Sequence, residues 1–210
     1  MIGRFISDAR GLKPGARILD VDWVSRRFVM KRLLLALVVT IFATSALAMM
    51  KPGASAPDFT VEAALGGKVF TFSLKEELKK GPVVLYFYPK SFTSVCTVEA
   101  HEFAEAMEQF AAMNASVIGV SGDNIDIQKE FSKKECRDKF PVGADSTFHV
   151  IKAYDAAFEL PLAGPVFADR ISYVISPQGK IVSAIKDSGA HAHIENALKA
   201  VKELTEKKKP

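Results

Sequence analysis

The chain of 210 residues has only two cysteines, Cys96 and Cys136, and no Cys-x-x-Cys pair. An enzyme that exchanges disulfides needs two sulfurs close together, so that chemistry has no equipment here. The single tryptophan is Trp23. His191 and His193 stand close together, but no third ligand accompanies them, which leaves a zinc-type site incomplete. No internal repeat is visible. The one long apolar run, residues 33–43, is too short for a comfortable membrane span. An excess of charge is missing from most of the chain as well. Residues 1–48 hold eight of the 28 Lys/Arg and three of the 24 Asp/Glu, which leaves 20 bases against 21 acids in residues 49–210. The basic balance therefore belongs to the leader, and the remainder carries no nucleic-acid footprint.

What is present at the N-terminus reads as targeting sequence. Met30-Lys31-Arg32 is a positive segment, residues 33–43 are an apolar segment, and Ala46-Leu47-Ala48 is a small-x-small cleavage site. The expected organisation is an upstream extension over 1–29, a signal peptide over 30–48 with translation starting at Met30, and one folded domain over 49–210. Cleavage after Ala48 implies a periplasmic or secreted protein. Any membrane contact is confined to an uncleaved leader. Export also places both cysteines where disulfides persist, so a structural Cys96–Cys136 bridge is one reading of them.

Along residues 49–210, strand-like and helix-like patterns alternate. Residues 59–63 and 68–72 predict a hairpin around Leu65-Gly66-Gly67. Ser73, with Glu76 three residues on, predicts a capping box on a short helix over 74–80. Residues 83–88 form a buried strand, 97–113 a helix, 116–121 a strand, and 126–137 a polar helix carrying Cys136. Residues 140–144 predict a strand, 149–156 a short helix, and 160–165 a loop. A hairpin turns about Pro177-Gln178-Gly179, and a closing helix spans 194–204. This order predicts an α/β fold, a mixed central sheet flanked by helices on both faces.

Cys96 carries the chemistry. It follows the strand Val83-Val84-Leu85-Tyr86-Phe87-Tyr88 by one short turn and falls in the first turn of a helix whose apolar face is Ala100, Phe103, Ala104, Met107, Phe110 and Ala111. Free N–H groups and the positive end of the helix dipole favour an anion at such a place, and the thiolate is the nucleophilic form.

Pro89-x3-Thr93-x2-Cys96, preceded by Phe87-Tyr88 and followed by Thr97-Val98-Glu99-Ala100, resembles the active-site signature of the peroxiredoxins, in particular the Q-type or bacterioferritin comigratory branch. The similarity runs from Ala56-Pro57-Asp58-Phe59 to Ser176-Pro177-Gln178-Gly179-Lys180. It implies a thioredoxin-like fold, no cofactor, a monomer, a hydroperoxide substrate and a thioredoxin-like thiol reductant. It also implies roles for residues. Cys96 is the nucleophile, and Arg170, at the head of the strand Ile171-Ser172-Tyr173-Val174-Ile175, lies beside its sulfur. The hydroxyl of Thr93 serves both the substrate and the helix cap, and Pro89 shields the sulfur from water.

Many Q-type members have a second cysteine five residues after the first, where this chain has His101. Cys136 is then the candidate resolving thiol, at an accessible position on its polar helix. The alternatives are a one-cysteine enzyme and a non-enzymatic exported module stapled by a structural bridge. His101 is a surface or tuning residue, Glu99 a helix-dipole partner, and His191 and His193 are expected before and at the start of the last helix.

Overall fold

The computed structural model describes residues 49–207; the expected extension over 1–29 and signal peptide over 30–48 lie outside the described residues. Among the described residues the fold has two β-sheets and five helices. β1 (Thr60–Leu65) and β2 (Lys68–Ser73) form the expected antiparallel hairpin. Gly66 and Gly67, at φ 56° and 74°, supply the two left-handed residues that a tight hairpin turn needs. The short helix α1 (Leu74–Leu78) follows. Ser73 stands at its N-cap position but makes no capping hydrogen bond, and Glu76 pairs with Lys79 instead, so the expected capping box is absent.

β3 (Val83–Phe87) leads into the long helix α2 (Ser94–Ala112), then β4 (Ser116–Ser121), α3 (Ile125–Lys134), β5 (Val142–Ala144) and α4 (His149–Ala153). β6 (Ala157–Leu160) and β7 (Gly164–Ala168) pair as a separate two-stranded sheet where the sequence predicts a loop. The hairpin projects exposed side chains, and Pro161 and Gly164 at its tip give the segment the composition of a loop. β8 (Ile171–Ile175), β9 (Ile181–Lys186) and α5 (His191–Glu206) complete the chain.

The main sheet has seven strands in the order β2-β1-β5-β4-β3-β8-β9. Only β3–β4 and β4–β5 are parallel; the remaining pairs are antiparallel. β3 lies between β4 and β8 and is buried on both faces, which is why it reads as an unbroken apolar run. Its alternate residues divide two cores. Val83, Leu85 and Phe87 face α1 and α4 with Phe59, Leu74 and Ile151, whereas Val84, Tyr86 and Tyr88 face α2, α3 and α5 with Phe103, Phe131 and Val201. In the second core the Tyr86 ring stacks on Phe103 with centroids 4.5 Å apart. Gly119 makes room for that ring, because a Cβ there would lie 2.5 Å from Tyr86 Cζ.

This arrangement sets the site. Parallel strands β3 and β4 end together, and the turn after β3 delivers the first turn of α2 beside the head of β8. Carboxyl ends of such strands are the usual place for ligands in an α/β sheet. Among the described residues no helix is long and apolar enough to cross a membrane.

Candidate active site

Residues 88–93 connect β3 to α2, and a buried polar network anchors them from beneath. The Tyr88 hydroxyl donates to Gln128 Oε1 at 2.7 Å and lies 3.2 Å from Ser91 Oγ. Gln128 Nε2 donates to Ser121 Oγ at 2.8 Å and to the Gly143 carbonyl at 3.1 Å. The Ser91 amide donates to Asp123 Oδ2 at 2.7 Å. Phe92 adopts φ 63°, unusual for a residue with a side chain, and its ring meets Phe131 edge-on at 5.2 Å. α3 and the end of β4 thus fix the turn that aims Cys96.

Thr93 is the N-cap residue of α2 in position: its carbonyl accepts from the Thr97 amide at 2.9 Å. Its hydroxyl does not cap. Oγ1 donates instead to the Lys90 carbonyl at 2.9 Å, which corrects the expected capping role. With no side-chain cap, the leading N–H groups of the helix remain available to an anion or a polar substrate oxygen. Cys96 is the third residue of the helix, and its thiol is free and almost fully buried. Its exposed neighbours Phe92 and Val95 are apolar. Pro89 follows Tyr88 directly and is half-buried.

Arg170 is brought to this sulfur from the head of β8, with Nη2 donating to Cys96 Sγ at 3.2 Å. An arginine opening a strand is ordinarily solvated; this one is buried because its other nitrogen, Nη1, is paired with Glu99 Oε2 one turn along α2. Burial holds the Glu99 carboxyl up at about 8, against the pull of Arg170. Among the described residues Glu99 Oε1 has no hydrogen-bond partner, and His193 Nδ1 stands 4.0 Å from it. His193 is fully buried, with Ser172 Oγ 2.7 Å from Nδ1 and the Asp187 carbonyl 3.1 Å from Nε2. The sequence assigns His193 to a helix start and no more; its partners lie on other elements, and no local spacing marks them. His191 is exposed beside Glu102 and Glu195.

Cys136 differs from expectation in two ways. α3 stops at Lys134, so the thiol lies in the turn that follows and not on the helix. It is also completely buried, not accessible. The Cys136 amide closes back on the Phe131 carbonyl at 3.1 Å, and Arg137 and Asp138 then take left-handed conformations at φ 51° and 58°. Burial pushes the Cys136 thiol well up, and the charges of Glu135 and Asp138 add to the effect. Both neighbours of Cys136 in the chain reach α2: Glu135 pairs with His101 at 2.8 Å and Arg137 with Glu105 at 3.1 Å. His101 therefore points at the Cys136 turn. Cys96 and Cys136 share one apolar core as free thiols. Among the described residues no cluster of three or more His, Cys, Asp or Glu could hold a metal ion.

A helix-start cysteine with an arginine on its sulfur is equipped to attack an electrophile and to stabilise the charge that leaves. Known proteins with the same organisation are similar to this chain. Residues 52–184 match the model of the AhpC/TSA family. A putative peroxiredoxin bcp of Helicobacter pylori is 32% identical over 154 residues, 72% of this chain and 98% of the relative. Peroxiredoxin Bcp of Bacillus subtilis is 29% identical, covering 74% and 97%. Among solved structures, peroxidoxin BcpB of Mycobacterium tuberculosis superposes with a TM-score of 0.68 at 29% identity, covering 74% of this chain and 98% of that one. A PrxQ variant of Xylella fastidiosa does so at 0.65 and 27%, covering 75% and 98%. The chain belongs to the AhpC/TSA family and is a thiol-dependent peroxidase of its Bcp-like, Q-type peroxiredoxin branch.

Proposed function

We propose that Cys96 is the peroxidatic residue, that Arg170, Thr93 and Pro89 complete its site, and that Cys136 resolves the oxidised form. The Cys96 thiolate attacks one oxygen of the hydroperoxide. The S–O bond forms as the O–O bond breaks, sulfur is oxidised to sulfenic acid, and the second oxygen leaves with a proton as water or an alcohol. The observation that carries this reading is the 3.2 Å contact from Arg170 to Cys96 Sγ at an uncapped helix N-terminus. There, a permanent cation and free N–H groups converge on the place where both the sulfur anion and the leaving oxygen must be stabilised. The Thr93 hydroxyl, held by the Lys90 carbonyl, keeps its oxygen lone pairs for a substrate O–H. Pro89 adds a wall without an N–H. Exposed Phe92 and Val95 suit an organic hydroperoxide as well as hydrogen peroxide.

In the second step the Cys136 thiol displaces water from the Cys96 sulfenic acid, giving a disulfide that an external thioredoxin-like dithiol then reduces. Cys136 is buried with a raised pKa, so this step requires the 135–138 turn to open. The same burial favours a second reading, a one-cysteine enzyme in which Cys136 is a bystander. One equivalent of hydrogen peroxide added to the reduced protein separates them. Loss of both thiols with a Cys96–Cys136 bridge in the peptide map is the expected result; Cys96 oxidised with Cys136 still free contradicts the resolving role.

The leader pattern supports an exported, periplasmic enzyme with an exported reductant. N-terminal sequencing of the protein taken from cells is expected to start at Met49. A chain still beginning at Met1 or Met30 contradicts cleavage.

A further inference from the structure

Cys136 meets the Cys96 sulfur only when its turn opens, and the contacts that hold this turn shut are specific. Residues 135–139 run between two fixed points, because Phe131 and Phe140 are both completely buried. Inside the turn, the Cys136 amide donates to the Phe131 carbonyl at 3.1 Å and the Lys139 amide to the Cys136 carbonyl at 2.9 Å. The backbone between these bonds is strained. Arg137 and Asp138 are successive left-handed residues at φ 51° and 58°, and both carry side chains. Such a pair is unfavourable unless contacts outside the turn maintain it.

Two side-chain pairs supply those contacts, one on each side of Cys136. His101 Nε2 donates to Glu135 Oε2 at 2.8 Å, and Arg137 Nη1 donates to Glu105 Oε1 at 3.1 Å. The first pair holds whether or not the ring is protonated, because a carboxylate can only accept. His101 and Glu105 are four residues apart on α2, so both pairs end on one face of the helix that carries Cys96. The end of α3 is fixed separately, since Ser132 Oγ accepts from the Gly67 amide at 2.9 Å. Opening is thus confined to the segment that bears the thiol.

We propose that His101 and Glu105 are positioning residues for the second step: their pairs with Glu135 and Arg137 hold the turn closed over Cys136 and set the rate at which its thiol reaches the Cys96 sulfenic acid. The inference rests on the resolving role of Cys136. In that step the Cys136 sulfur attacks the Cys96 sulfur. The S–S bond forms as the S–O bond breaks, and hydroxide leaves with the Cys136 proton as water. The first step is untouched, because the pairs lie about one and a half and two and a half turns along α2 from Cys96. Their strength suits a gate that opens in every cycle. The Arg137–Glu105 pair is exposed and the His101–Glu135 pair half-buried, so each shifts the opening equilibrium only a few-fold. The strain at Arg137 and Asp138 pulls the other way.

The test compares the wild type with the double variant His101→Ala, Glu105→Ala, which removes both pairs, keeps α2 helical and leaves residues 135–138 unchanged. One equivalent of hydrogen peroxide is added to each reduced protein at pH 7. Rapid quenching and mass spectrometry then time the Cys96 sulfenic acid and the Cys96–Cys136 disulfide separately. Hydrogen exchange at the Cys136 and Lys139 amides reads the opening of the turn in the reduced protein and is blind to the ionisation of the thiol. The double variant is expected to form sulfenic acid within about twofold of wild type, and to close the disulfide and exchange both amides about three- to tenfold faster. Added salt is expected to quicken exchange in the wild type and not in the double variant, because it screens the pairs. If the double variant does not fold, the exposed Glu105→Ala carries the test, with about twofold expected in both readouts. Disulfide closure or exchange at the wild-type rate overturns the inference. Slower closure overturns it too, since the pairs would then present Cys136 rather than restrain it. Either result leaves the resolving role intact when the bridge forms. A wild type oxidised at Cys96 without any bridge defeats the resolving role and the inference together.

Discussion

Replacing Cys96 with serine is expected to abolish peroxide reduction. The expected loss is at least about 10³-fold in the second-order rate, because a hydroxyl does not ionise near neutral pH and is a poor nucleophile beside a thiolate. The fold is expected to survive. Serine is nearly isosteric with cysteine, and Arg170 Nη2 can donate to its oxygen as it does to Cys96 Sγ. A steady-state assay with a small dithiol as reductant, run beside a thermal melt, checks both halves. Activity retained within tenfold in a folded Cys96→Ser protein would place the chemistry elsewhere. Cys136 is then the other thiol in the chain.

Arg170→Ala carries the second largest effect. It removes the charge and the donor that touch the sulfur, and loss of one such preorganised donor costs about 10²–10³ in rate. The variant also strips Glu99 of a partner in a buried place, so some stability is lost with the activity. Arg170→Lys separates the two effects. An ammonium supplies the charge from a single point but cannot hold Glu99 Oε2 and Cys96 Sγ with two nitrogens of one plane. Its rate is expected to fall between wild type and Arg170→Ala, with the fold retained. Stopped-flow oxidation of the reduced proteins reads all three. A rate for Arg170→Ala within threefold of wild type would show that the guanidinium is a structural ion-pair partner alone.

Much of this site is legible in the sequence, because its signals are local. The strand ahead of Cys96, the short turn and the apolar face of the following helix are all periodic patterns, and they appear in the structure as β3 and α2. The place of Arg170 is carried by resemblance rather than by pattern, since an arginine at a strand start has no spacing that shows it is buried. The parts that escape the sequence depend on distant partners or on unmarked backbone. Cys136 continues a polar helical pattern, but the helix is cut at Lys134. The left-handed residues that follow are Arg137 and Asp138, where a glycine would have announced the stop. The β6–β7 hairpin is hidden by Pro161 and Gly164, which read as loop. Thr93 carries the residue type of a helix cap, yet its hydroxyl turns back to Lys90. Glu99 and His193 sit on different helices and meet only because β8 and α5 pack beside α2, so neither is visible as one half of a pair.

The central claim is that Cys96, beside Arg170, is the atom that peroxide meets first. It is tested most directly by mixing the reduced protein with one equivalent of hydrogen peroxide and trapping sulfenic acid with a selective nucleophile at successive times. The account predicts a trapped adduct on Cys96, formed with a rate constant on the order of 10⁴ M⁻¹s⁻¹ or more, before any change at Cys136. An adduct that appears first on Cys136, or on neither thiol faster than on free cysteine, would contradict it.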